Sequence, residues 1–128
     1  MKILLDTCTF LWAIARPEAL SSRARTLFQS PGNEVFLSAA STWEIATKHA
    51  LGRLPLPAPV GTLIPDLRTK YGIESLPIDE ESTLQLTRLP LLHRDPFDRM
   101  LICQSIVHGM AVLTPDRLIA QYPARVLW

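Results

Sequence analysis

Three short runs in this chain, KILLD (2–6), EVFLS (34–38) and MAVLT (110–114), are apolar almost throughout. A strand with one wet face alternates apolar and polar residues. A run without alternation is buried on both faces, which happens almost only in parallel sheets covered by helices on each side. IESLPI (73–78) and ARVLW (124–128) are two further strand candidates. Helical patterns lie between the strands, near 8–15, 20–30, 39–51, 60–71, 80–88, 97–109 and 115–120. This alternation predicts an α/β fold, a three-layer α/β/α sandwich with a central, mainly parallel sheet. GRLPLPAP (52–59) is too rich in proline for a helix and reads as an ordered connector.

The length of 128 residues, with 48% hydrophobic and 20% charged residues, fits one compact domain spanning 1–128. No apolar run reaches the roughly 18 residues that cross a bilayer, so no membrane association is expected. MKILLD opens as a buried strand and not as a signal peptide. Cys8 and Cys103 share no metal-binding spacing, and both read as packing thiols of a cytoplasmic protein. The net charge of +1 lacks the strong basic bias common in nucleic-acid binders. Any contact with RNA must therefore come from a local site.

In parallel α/β sheets, ligands gather beyond the carboxyl ends of the strands. Acidic residues recur there. Asp6 ends the first strand, Glu44 lies one to two turns into the helix after the second, and Asp116 follows the fourth in LTPDR. Asp95 and Asp98 open the helix that leads into that fourth strand. Each has a plain structural reading. Asp95-Pro96-Phe97-Asp98 is a helix start with Asp at N-cap, Pro at N1 and an acid at N3. Glu44 can pair with Lys48 at i+4. Asp6 and Asp116 can cap the segments that follow them. Like charges gathered at one edge nevertheless repel unless a cation offsets them. The N-cap carboxylate of Asp95 is occupied by backbone N–H groups, whereas Asp98 is free to project outward. If one of the two does chemistry, it is Asp98. The helix behind it is expected to bury Met100, Leu101, Cys103, Ile106 and Val107, and to stop at His108-Gly109.

Other sites find no support. Asp79, Glu80 and Glu81 suit the first turn of a helix and receive no role. His49, His93 and His108 form no zinc-binding pair. No nucleophile elbow and no phosphate-binding glycine loop is present.

The set LLDTCTFLWA, STWEIATK, HRDPFDRMLICQS and LTPDRLI resembles the PIN domain, in particular the VapC-type ribonuclease toxins of bacterial toxin–antitoxin pairs. The resemblance runs along the whole chain. It implies a metal-dependent endoribonuclease using Mg²⁺ or Mn²⁺ on RNA, with Asp6, Glu44, Asp98 and Asp116 as catalytic metal ligands and Asp95 as cap or support. It also implies a cognate antitoxin and a homodimer formed away from the acidic pocket. Phe10, Leu11 and Trp12 are expected to be exposed for such a partner. Thr7 and Thr114 are candidates to offer hydroxyls to water or phosphate, and Lys48, Arg53, Arg94 and Arg99 to contact phosphate. Cys103 stands where similar sequences often carry a small residue, a change that should affect packing only. A PIN nuclease with a housekeeping role in RNA processing is the alternative. An acidic-pocket module like a phospho-receiver fits less well, since no lysine follows Lys70. A degenerate PIN domain that only binds is disfavoured by the presence of all four acids.

Overall fold

Both faces of the sheet are buried, as the strand composition requires. The computed structural model describes residues Met1–Trp128. Five strands, β1 (Lys2–Leu5), β2 (Glu34–Ser38), β3 (Ile73–Leu76), β4 (Ala111–Leu113) and β5 (Val126–Leu127), pair in the order β3-β2-β1-β4-β5, every pair parallel. Successive residues point to opposite faces. Ile3 and Leu5 of β1, with Val35, Leu37, Ala111 and Leu113, join one core cluster. Leu4 and Val112 join the other.

Six helices cover these faces: α1 (Thr7–Ala15), α2 (Ser22–Gln29), α3 (Ala39–Ala50), α4 (Val60–Tyr71), α5 (Glu80–Gln85) and α6 (Pro96–His108). Phe10, Ala24, Ile45 and Ile64 from α1 to α4 fill the first core, and Met100 to Cys103 of α6 fill the second. α6 starts at Asp95, whose side chain accepts from the N–H groups of Phe97 and Asp98, and stops at Gly109 with φ 65°. No helix is long and apolar enough to cross a membrane.

Several expectations need correction. The segment 115–120 is not an α-helix. Only a 3₁₀ turn forms, at Ile119–Gln121, because so short a stretch between Pro115 and Pro123 cannot nucleate more. The stretch 20–30 starts later as helix, at Ser22 behind the Ser21 cap. On α6, Ile106 and Val107 are half-buried, while Ile102, Gln104 and Ser105 are buried. Phe10 is not exposed; it packs fully inside the first core, with Leu11 and Trp12 partly buried against it. Cys8 is exposed, so only Cys103 is a packing thiol.

Candidate active site

The two central strands fix the first part of the site. β1 and β4 pair Leu5 with Leu113, so the residues that follow, Asp6 and Thr114, emerge side by side at the carboxyl edge. β1 is flanked by β2 on one side and β4 on the other, so the chain crosses over in opposite directions at this point, where open α/β sheets form clefts. Asp6 is the N-cap of α1. Its Oδ1 accepts from the N–H of Cys8 at 3.3 Å, and its Oδ2 accepts from the Thr114 hydroxyl at 2.6 Å. The N–H of Asp116 donates to that same hydroxyl at 3.1 Å, which sets the spacing between the first and last acids.

α3 brings Glu44. Ser38 caps the helix through the N–H of Ala40 at 2.9 Å and donates to buried Gln104 of α6, whose amide nitrogen donates to the carbonyl of Pro77 at 3.0 Å. The Thr7 hydroxyl donates to Ser41 at 2.9 Å inside the core, tying α1 to α3 one turn before Glu44. Thr7 and Thr114 are thus buried structural ties, not hydroxyls facing solvent. Glu44 is only 5% exposed. Its Oε2 pairs with Lys48, as the i,i+4 spacing suggested, but its Oε1 is buried with no partner at all. A buried unpaired acceptor costs ~1–3 kcal/mol, and more when charged.

α6 brings Asp98, and the Trp43–Phe97 edge-on pair, centroids 4.8 Å apart, packs α3 against α6 beside it. The Asp98 carboxyl is strongly perturbed. Burial, then the charges of Asp6 and Asp95, push its carboxyl up to about 7, against an opposing pull from His93. Burial also raises Asp6, with Glu44 and Asp116 adding to the rise against the Thr114 and Cys8 bonds. Asp6, Glu44, Asp98 and Asp116 therefore share one electrostatic environment, although they arrive on four separate segments. Asp95 stays with the helix end: its Oδ1 accepts from Phe97 N–H at 2.8 Å and Asp98 N–H at 3.1 Å.

One side chain at the site was assigned no role from sequence. His93 Nε2 lies 2.9 Å from Asp98 Oδ2 and 3.6 Å from Asp116 Oδ2. Ligand-capable atoms of these three residues all fall within 4.8 Å of one another. Despite these short distances Nε2 has no partner in hydrogen-bond alignment, so the contact is a close approach and not a formed hydrogen bond. Of the basic candidates, Lys48 is held by Glu44, and Arg99 turns to the Pro90 carbonyl and the Tyr122 hydroxyl. Arg53 and Arg94 are exposed.

Residues 3–124, nearly the whole chain, match the PIN domain. The chain belongs to the PIN domain family. Ribonuclease VapC16 of Mycobacterium tuberculosis is 39% identical over 62 residues, a stretch covering 48% of this chain and 44% of that protein. The match therefore spans less than half of this curated relative. VapBC2 from Rickettsia felis, solved with a DNA fragment from its promoter, superposes with a TM-score of 0.75 at 12% identity over 99% of this chain and 98% of that one. VapBC-1 from nontypeable Haemophilus influenzae gives 0.64 at 15% identity, covering 99% and 97%. FitAcB from Neisseria gonorrhoeae gives 0.60 at 19% identity, covering 98% and 96%. At such identities the likeness is one of fold. With the PIN match, the phospho-receiver reading falls away. His93 could have been noticed in HRDPFD as the one imidazole within a turn or two of both α6 acids, but sequence spacing gave no orientation for it.

Proposed function

We propose that this PIN domain is a divalent-metal-dependent endoribonuclease, with Mg²⁺ or Mn²⁺ as its ion, acting as the toxin of a toxin–antitoxin pair. The observation that carries this reading is the mutual electrostatic influence of four carboxylates, Asp6 and Glu44 buried and Asp98 and Asp116 half-buried, with Glu44 Oε1 left unsatisfied. The donor set is oxygen, which suits a hard cation held by carboxylates and phosphate. Asp6 and Asp98 would hold the ion directly, Glu44 would ligate it or orient the attacking water, and Asp116 would act through water or a second ion. A bound cation supplies a more acidic water and neutralises charge on the scissile phosphate. Everything else is the work of the chain. Thr114 and the Cys8 N–H orient Asp6, Asp95 fixes the start of α6, and Lys48 holds one oxygen of Glu44 while the other has no protein partner.

The similarity to ribonuclease VapC16 supports RNA as substrate, and the VapBC-like fold supports a cognate antitoxin. A homodimer is the expected assembly, and residues 1–128 the working unit. The test is cleavage of RNA by purified protein with and without EDTA, on wild type and Asp98→Asn. Metal-dependent cleavage lost in the variant supports the reading, and unchanged cleavage in excess EDTA removes it. Growth arrest on expression, relieved by an adjacent antitoxin gene, separates a toxin from a housekeeping nuclease.

A further inference from the structure

His93 stands in the middle of the acids, and its chemistry can be read from its other nitrogen. Nδ1 lies 3.3 Å from the backbone N–H of Asp95, which donates to it. A neutral imidazole carries one proton, so the nitrogen that accepts is bare and the other is the donor. The proton therefore sits on Nε2. That end is buried, faces Asp98 and Asp116, and has no acceptor in line. The loop that carries the ring is tied down. The N–H groups of Leu92 and His93 both donate to the Tyr122 hydroxyl, at 3.0 and 2.8 Å, so a residue from the far end of the chain anchors the loop.

Two roles are open to an imidazole among metal-binding carboxylates. As a metal ligand it would need a lone pair on Nε2, hence a proton on Nδ1, and that proton would point at the Asp95 N–H. The backbone thus opposes ligation. As a donor, its Nε2–H needs an acceptor that the chain does not align with it. Neither Asp98 nor Asp116 is aligned to accept it, and in a nuclease the acceptor that arrives with the substrate is a phosphate oxygen. We infer that His93 is a further functional residue of this site, an N–H donor to a non-bridging oxygen of the RNA phosphate and not a metal ligand. This rests on the nuclease reading above.

The experiment has two arms. Long-range ¹H–¹⁵N correlation spectra of the imidazole, recorded at a pH where the ring is neutral, should show protonated Nε2 and bare Nδ1, before and after addition of Mg²⁺. A switch to protonated Nδ1 on Mg²⁺ would overturn the donor role and make His93 a ligand. In the second arm, RNA cleavage is measured on wild type, His93→Ala and His93→Gln, with folding checked by thermal melts. Removing one hydrogen bond to a charged acceptor should lower kcat/KM about 10- to 100-fold in His93→Ala. His93→Gln, which keeps an N–H donor at similar reach, should recover part of it. Folded His93→Ala that cleaves at the wild-type rate, or folded His93→Gln no better than alanine, overturns the inference while the nuclease reading stands. Wild type that cleaves no RNA overturns both.

Discussion

The starts of α5 and α6 are made of the same materials. Each has an aspartate at N-cap, more acid in its first turn, and a histidine close to an aspartate carboxylate: His108 at 3.1 Å from Asp79, His93 at 2.9 Å from Asp98. Their electrostatics are opposite. The Ser82 hydroxyl and then His108 hold the Asp79 carboxyl below its ordinary value, and water reaches it. Burial and neighbouring acids lift Asp98 to about 7. The helix end contributes the same favourable dipole in both places. What differs is convergence. Only Asp98 meets acids brought in by β1, α3 and the segment after β4, and only there is a buried carboxylate oxygen left unpaired on Glu44.

The largest expected effect tests this contrast by activity. Asp98→Asn should lower metal-dependent RNA cleavage about 1000-fold, since several kcal/mol of charge stabilisation is lost. Asp79→Asn should stay within about twofold. Comparable losses in both variants would mean that the distinction between the helix starts has no catalytic meaning.

Stability against pH should separate the two acids by sign. Asp98 has a folded value of about 7, above the 3.8 of an ordinary aspartate. Its contribution to stability is complete below about pH 4 and is lost as pH rises to about 7. Asp79 is depressed, so its contribution is present above about pH 4 and lost as pH falls. Thermal melts in EDTA should therefore show a decline of wild-type stability between pH 4 and 7 that is shallower in Asp98→Asn and unchanged in Asp79→Asn. Near neutral pH, metal-free Asp98→Asn should melt above wild type. A wild-type decline fully retained in Asp98→Asn would refute the assignment.

Within α6 itself, Asp95→Asn should keep most activity and stability, because asparagine caps a helix as well as aspartate does. Asp95→Ala should lose about 1 kcal/mol, a few degrees of Tm in a domain of this size. Melts and cleavage rates on the two variants check this. The smallest effect concerns Cys8. Loss of hydration around the sulfur, then the charges of Asp6 and Glu44, push its thiol up to about 11, so it should alkylate slowly at neutral pH. Millimolar Mg²⁺ should speed alkylation by iodoacetamide several-fold by offsetting those charges, which mass spectrometry can follow. No change on adding metal would place Cys8 outside the field of the site.

The parts of this protein written in local sequence were legible before its shape was known. Non-alternating KILLD and MAVLT required strands covered on both faces, Asp95-Pro96 fixed the start of α6, and Gly109 its end. The four acids were read from strand ends and family motifs; Asp98 and Asp116 lie close to each other beside His93, while Asp6 and Glu44 act on that pair through their charge. The parts written in long-range contacts were not. His93 owes its place to the Tyr122 hydroxyl, twenty-nine positions away, and Gln104 is buried by Ser38 across sixty-six. Phe10 looked exposed in a run with Leu11 and Trp12, but the packing of α1 against the sheet buries it. Asp116 looked like the cap of a helix. It caps only a turn, because two prolines and a short span leave no room for more.

The central claim is that Asp98 belongs to a cation site while the chemically similar Asp79 does not. Calorimetric titration of Mn²⁺ into metal-stripped wild type, Asp98→Asn and Asp79→Asn tests it without relying on any RNA. Wild type and Asp79→Asn should bind with the same affinity, and Asp98→Asn should bind at least about tenfold more weakly. Equal affinity in all three proteins would contradict the account and leave Asp98 as an ordinary acid at the start of a helix.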